Sequence, residues 1–123
     1  MFDHIGLHVR DLEASIKFYT AALAPFGHVL GSRDDTSAGF GPAGAPSLWL
    51  SAAKIKSTGI HLALFTTKRA LVDKFYAAGI EAGGKDHGKP GLRKDYSPTY
   101  YAAFLIDPDG VGFGFGVGMV WGE

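Results

Sequence analysis

Residues 4–9 read HIGLHV, and residues 61–66, 57 positions later, read HLALFT. The same offset superimposes the FY pair at 18–19 on the FY pair at 75–76. Within each hexapeptide apolar residues alternate with polar or small ones, which is the period of a half-buried strand, and apolar residues at helical spacing follow. These coincidences in register indicate a duplicated strand–helix unit.

Turn and cap residues set the predicted bounds of the helices. Asp11 is a predicted N-cap for a first helix that ends before Pro25 and Gly27. Thr67 is predicted to cap a second helix, which Gly79 closes. Strand candidates follow each helix, at about 28–34, 38–42 and 47–52 in the first half and at about 81–85, 100–107 and 111–121 in the second.

Two segments of the second half have no helical or strand period. Residues 107–110, DPDG, predict a tight turn between the last two strands. Residues 86–99 are predicted to form a lid or a surface loop. The sequence as a whole predicts an α+β fold in which two βαβββ modules in tandem form a curved mixed sheet around a cavity, with the helices on the outer face.

Composition and charge exclude several classes of protein. Twelve Lys and Arg balance twelve Asp and Glu among 123 residues, which argues against nucleic-acid binding and a polybasic membrane surface. No apolar run approaches the roughly 20 residues that span a bilayer, no secretory signal is visible, and cysteine is absent. We expect a soluble, cytoplasmic single domain over 1–123, with modules at about 1–56 and 57–123, and no nucleic-acid or membrane partner.

Strand parity places three histidines on the face that turns away from the helices. These are His4 and His8 on the first strand and His61 on its repeat counterpart. A pseudo-twofold relation between the halves would bring His4 and His61 together, and two imidazoles are the beginning of a divalent metal site for Fe, Mn, Ni, Co or Zn. The alternative is a pair of ordinary strand histidines. His28 and His87 have no repeat partner and are expected to be solvated.

The combination of motifs resembles one known superfamily. HIGL at 4–7, FY at 18–19, HLAL at 61–64 and YYAAF at 100–104, followed by the DPDG turn, are similar to the vicinal oxygen chelate superfamily. That superfamily contains glyoxalase I, bleomycin-resistance proteins and extradiol dioxygenases, and the resemblance covers essentially the whole chain. It implies a small-molecule ligand and, because half-open sheets tend to close against a second copy, a homodimer.

The resemblance also implies a metal site that lacks one ligand. Metal-using members hold the metal with a first-strand His, its second-half counterpart and a Glu on the last strand. His4 and His61 match the histidines, whereas the Glu position is Gly114, in a strand with glycine at every second position from 110 to 118. That glycine row is interpreted either as a widened cavity floor or as the trace of a site without functional constraint.

Five further residues are predicted to bind the substrate. His8 and Phe65 line the predicted cavity, Tyr96 and Tyr101 lie near its mouth, and Arg93 is able to hold a carboxylate. The alternative for the tyrosines and the arginine is a solvated loop beside an edge strand.

Three functions are compatible with these residues. The first is a metal-dependent enzyme of the glyoxalase or dioxygenase type, which the family resemblance favours and the missing carboxylate disfavours. The second is a metal-free protein that binds a small molecule, as drug-sequestering members do. The third is an interaction domain that has lost its small-molecule role.

Overall fold

The computed structural model describes residues 2–56, 58–95 and 97–118, and gives the backbone alone for 113–118. The fold is mixed α+β, as predicted. Its elements, over these residues, are β1 (Ile5–Val9), α1 (Leu12–Leu23), β2 (Val29–Arg33), β3 (Ser37–Gly41), β4 (Leu48–Ala52), β5 (His61–Phe65), α2 (Arg69–Glu81), β6 (Lys85–Leu92), β7 (Tyr100–Ile106) and β8 (Gly112–Gly118). Neither helix in this part of the chain is long and apolar enough to cross a membrane.

The strands form two mixed sheets of four strands each. The first sheet has the order β1-β4-β3-β2, and the second has the order β5-β8-β7-β6. In each sheet the first strand pairs in parallel with the fourth, and the remaining pairs are antiparallel. Gly6 lies opposite Trp49 in the first sheet, and Ala63 lies opposite Gly114 in the second.

Helix α1 begins and ends where the sequence predicts. The Asp11 carboxylate accepts a hydrogen bond from the Ala14 backbone N–H at 3.1 Å, which satisfies one free donor of the first turn. A short 3-10 turn follows at Ala24–Phe26, and Gly27 then takes a φ of 77° that favours glycine.

Helix α2 differs from its prediction at both ends. Lys68 and not Thr67 is the N-cap residue, and it makes no side-chain cap bond. The helix also runs through Gly79 to Glu81. A Cβ on Gly79 would overlap the side chain of Leu105 and lie 3.3 Å from Phe18 Cε1. Gly79 is therefore explained by close packing inside the helix, and not by a left-handed C-cap.

The prediction of a loop over residues 86–99 is wrong in its first half, because strand β6 extends to Leu92. Its register with β7 shifts twice, between Asp86 and Gly88 and between Gly88 and Gly91. Each shift breaks the alternation of side chains, so the strand has no period of two in its sequence.

The two helices pack against each other, and a buried hydrogen bond joins the two halves of the chain. The Tyr19 hydroxyl of α1 donates to Asp107 Oδ2 at 2.5 Å, and both side chains are almost fully buried. Burial raises the pKa of Tyr19 and that of Asp107. Asp107 also opens the predicted turn, in which Gly110 N–H donates to its carbonyl at 2.9 Å and Gly110 has a φ of 91°.

Candidate functional site

Each sheet has one face that carries no helix, here called its open face. In the second sheet, Leu105 packs beside Gly79 of α2, and the Tyr101 hydroxyl donates to Asp73 Oδ1 of α2 at 2.5 Å. Odd-numbered residues of β7 therefore face the helix. Because side chains alternate along a strand, Phe104 lies on the open face.

Phe104 crosses the glycine strand to reach His61. The two ring centroids are 5.2 Å apart with an interplanar angle of 49°. Strand β8 lies between β5 and β7, with Gly114 directly opposite Phe104 and Gly112 opposite His61. A contact between β5 and β7 side chains must therefore span β8. Glycine in β8 leaves the room that this ring occupies, which gives the glycine row a packing role that neither sequence interpretation includes.

Arg93 also contacts the Phe104 ring. Its guanidinium carbon is 5.7 Å from the centre of the Phe104 ring, within the range of a cation–π interaction. Its Nη2 donates to the Lys89 carbonyl at 2.6 Å, which fixes the side chain over the sheet. His61, Phe104 and Arg93 are called the aromatic cluster below. It presents an imidazole and a guanidinium over an apolar ring.

The other predicted substrate-binding residues are distributed over the molecule. Tyr101 packs on α2, where the Arg69 guanidinium lies 5.3 Å from its ring and the hydrogen bond to Asp73 raises its pKa. Phe65 is 72% exposed. His8 is exposed on β1, opposite Ser51 of β4. Tyr96 lies outside the described residues.

The two predicted metal-ligating histidines have different surroundings. His4 precedes β1, is largely exposed, and has Nδ1 2.8 Å from Asp3 Oδ2. His61 lies against Phe104, and no ring contact joins it to His4 in the described part of the chain. Their pairing around one metal stays a prediction.

The residues do not fit a three-ligand metal centre. Gly114 supplies no ligand, and Phe104 lies against the ring of His61. Among the described residues, no group of three or more His, Asp or Glu side chains is placed to hold a metal ion. Catalytic zinc sites have three protein ligands, and the non-haem iron sites of oxygenases have two histidines and one carboxylate.

Sequence reasoning missed Phe104, and it misjudged His28. Both Tyr101 and Phe104 lie in the YYAAF segment, and only the parity of β7 distinguishes them, because a shift of one residue moves a side chain to the other face. His87 is exposed, as expected, whereas His28 is half-buried rather than solvated. A signal for Phe104 was present in the glycine row, since a strand of glycines next to an aromatic residue leaves space for its ring.

The two mixed sheets have matching strand orders, and α1 packs on the first sheet and α2 on the second. The sequence profile of the glyoxalase/bleomycin resistance protein/dioxygenase superfamily matches residues 1–115. The chain therefore belongs to this superfamily.

Solved structures agree with the family assignment. A glyoxalase/bleomycin resistance protein from Albidiferax ferrireducens is 29% identical with a TM-score of 0.82, and the match covers 96% of this chain and 98% of that one. A hypothetical protein from S. aureus is 28% identical with a TM-score of 0.71, over 94% and 95% of the two chains. A glyoxalase I mutant from Zea mays is 28% identical with a TM-score of 0.71, over 93% of this chain and 45% of that one. None of the curated protein sequences compared with the chain matches it significantly.

Proposed function

We propose that the chain is a metal-free binding protein for a flat, anionic small molecule, which it holds on the open face of the second sheet. The observation that carries this proposal is the aromatic cluster, in which the Phe104 ring lies against His61 and Phe104 is directly opposite Gly114, the position of the missing carboxylate. Arg93 and His61 both contact this apolar ring and offer hydrogen-bond donors beside it.

The chemistry of the cluster selects the class of ligand. A guanidinium pairs best with a planar carboxylate, to which it donates two parallel hydrogen bonds. One Nη2 hydrogen of Arg93 is used by the Lys89 carbonyl, and the remaining N–H groups stay available to the ligand. An aromatic body would lie beside the Phe104 ring, over Gly116 of β8, whose neighbours across the sheet are Ala102 and Phe65.

We further propose the architecture and assembly that this function needs. The chain forms one domain of two tandem βαβββ modules, and a second copy covers the open face. Phe2 and Phe65 are 77% and 72% exposed, and β1 and β5 each pair on one side only within the described sheets. Sedimentation equilibrium tests the assembly, and a monomer at micromolar concentration would contradict it.

Titration calorimetry with two probes tests the ligand class. 2-Naphthoate carries the planar carboxylate, and 2-naphthol has the same ring system without it. Arg93→Gln is expected to weaken naphthoate binding about tenfold or more, because it removes a charge-assisted hydrogen bond, and to change naphthol binding less than about twofold. Lys89→Gln is the matched control, since it removes one positive charge nearby and keeps the carbonyl that positions Arg93. Equal losses for both variants, or tighter binding of naphthol, would contradict the proposal.

The metal-dependent alternative rests on the repeat-related histidines, and metal content distinguishes it. We expect the purified wild type, loaded with divalent metal and then desalted, to retain none above the level of His4→Ala. Stoichiometric metal in the wild type that disappears in His4→Ala would instead establish a metal site shared by the two histidines.

A further inference from the structure

A groove of about 340 Å³ lies between the start of β1 and strand β5. Its walls include Leu23 and Leu48 from the first half and Leu62 and Leu64 from β5. Phe2 and Phe65, which the proposed second copy would also contact, line it as well. No residue of the aromatic cluster lines it. The volume falls at the lower end of the range of small-molecule sites in proteins.

The groove is bordered by Leu62 and Leu64 of β5, which are both half-buried. Leu64 differs in this from its repeat counterpart Leu7, which is fully buried, whereas Leu62 is half-buried like its counterpart Ile5. The exposed apolar surface of Leu62 and Leu64 would be removed from water by an apolar occupant, which is favourable in proportion to the area covered.

His28 places one polar group in this apolar wall. Its Nδ1 is buried without a hydrogen-bond partner in the described part of the chain, and burial lowers the pKa of His28. The ring stacks on Phe26, with centroids 6.4 Å apart and an interplanar angle of 23°. Because Nδ1 is enclosed by protein, Nε2 is the nitrogen of the neutral imidazole that a ligand in the groove would contact.

The charges around the groove disfavour an anion. Asp3 and His4 are the other ionisable side chains of the lining, and they contact each other at its exposed rim. Among the described lining residues, the inner wall therefore holds no cation that would neutralise a carboxylate, and burying an unpaired charge is costly.

We propose that this groove is a second binding site, which takes an uncharged apolar molecule with one carbonyl oxygen. The apolar body contacts Leu62 and Leu64, and the carbonyl oxygen accepts a hydrogen bond from Nε2–H of His28. The site is independent of the aromatic cluster, since the two share no residue.

Methyl-detected NMR titration with three indane probes tests the proposal. 1-Indanone has the carbonyl, indane lacks it, and indane-1-carboxylate carries a charge. We expect 1-indanone to shift the methyl resonances of Leu62 and Leu64 and to bind about fivefold more tightly than indane, which corresponds to one net hydrogen bond. The carboxylate is expected to bind most weakly.

Two variants separate the hydrogen bond from the cavity. His28→Phe keeps an aromatic ring and is expected to equalise the affinities of 1-indanone and indane. Ser47→Phe fills the groove from its β4 end and is expected to abolish binding of both, with folding confirmed by circular dichroism. Arg93→Gln should leave both affinities unchanged, so that failure here is distinct from failure at the aromatic cluster. Unshifted leucine methyls in the wild type, binding that survives Ser47→Phe, or a preference for the carboxylate would overturn the proposal.

Discussion

The two sheets have the same strand order but place their aromatic residues on different strands. By register, Trp49 of β4 corresponds to Gly114 of β8, and Gly39 of β3 corresponds to Phe104 of β7. In the first sheet the ring of Trp49 lies over Gly39, where a Cβ would be 2.7 Å from Trp49 Cζ3. In the second sheet the ring is that of Phe104 on β7, and it crosses the glycine strand β8 to reach His61.

This difference gives the open faces of the two sheets different side-chain contacts. Trp49 is half-buried and its ring covers Gly39 of the neighbouring strand, so this part of the open face of the first sheet is occupied by a side chain of that sheet. In the second sheet Phe104 reaches an exposed histidine and lies beneath an arginine. The same topology therefore carries an indole packed on glycine in one sheet and an imidazole, a phenyl ring and a guanidinium in contact in the other.

Tyr19 and Tyr76, which the repeat relates, are expected to differ widely in their contribution to the free energy of unfolding. Tyr19 donates to the buried Asp107 of the other half, whereas Tyr76 donates to the exposed Asp86 at 2.9 Å. Tyr19→Phe is expected to lower the free energy of unfolding by about 2–3 kcal/mol, because it removes a partner from a buried carboxyl group. Tyr76→Phe should change it by less than about 0.5 kcal/mol.

Urea denaturation of the two variants, monitored by circular dichroism, measures this difference. Both substitutions remove one hydroxyl from a helix residue, so each controls for the other. Equal losses would show that the bond between the two halves contributes no more than a surface hydrogen bond.

Two glycines on the open face of the first sheet test whether Trp49 closes it. Gly39→Val places a Cβ against the Trp49 ring and is expected to destabilise the protein by about 2 kcal/mol, through displacement of the indole. Gly6→Val is the matched control, since its added Cβ meets nothing within 4 Å and valine suits a strand. Comparable unfolding midpoints for the two variants would mean that the indole moves aside freely, and that this face is as open as that of the second sheet.

The fold followed from the sequence where local signals and the repeat agreed. Asp11, Gly27 and the turn at 107–110 each act through their own backbone, so their roles do not depend on distant residues. Gly79 and strand β6 were misjudged because tertiary packing and two register shifts decide them. Neither feature has a periodic signal in the sequence.

The candidate site was less accessible to sequence reasoning than the fold. Glycine at position 114 predicts that the carboxylate is missing, but nothing in the sequence shows that the Phe104 ring reaches His61 across this strand. Tyr101 and Phe104 lie on opposite faces of the sheet because side chains alternate along β7. The sequence does not show which of the two faces carries the helix, so it does not assign either residue to the open face. Arg93 was selected for its charge alone, and its contact with Phe104 depends on how the chain leaves β6.

The two aspartates that accept hydrogen bonds from Tyr19 and Tyr76 are expected to have small effects on stability. Their contributions are expected to change with pH in opposite directions. Burial raises the pKa of Asp107 above the ordinary value of about 3.9, so its protonated form is favoured in the folded state and its contribution to stability is lost as pH rises through the raised value. The backbone N–H of Gly88 and the Tyr76 hydroxyl lower the pKa of Asp86, so its contribution is present above pH 4 and is lost as pH falls. Relative to Asp107→Asn, the wild type should therefore lose stability on going from about pH 4 upward, whereas relative to Asp86→Asn it should lose stability on going from about pH 4 downward.

Urea denaturation of the three proteins between pH 3 and pH 7 measures both differences. Slopes of the same sign would mean that Asp107 is solvated like Asp86. The contact between Tyr19 and Asp107 would then be no more buried than the contact between Tyr76 and Asp86.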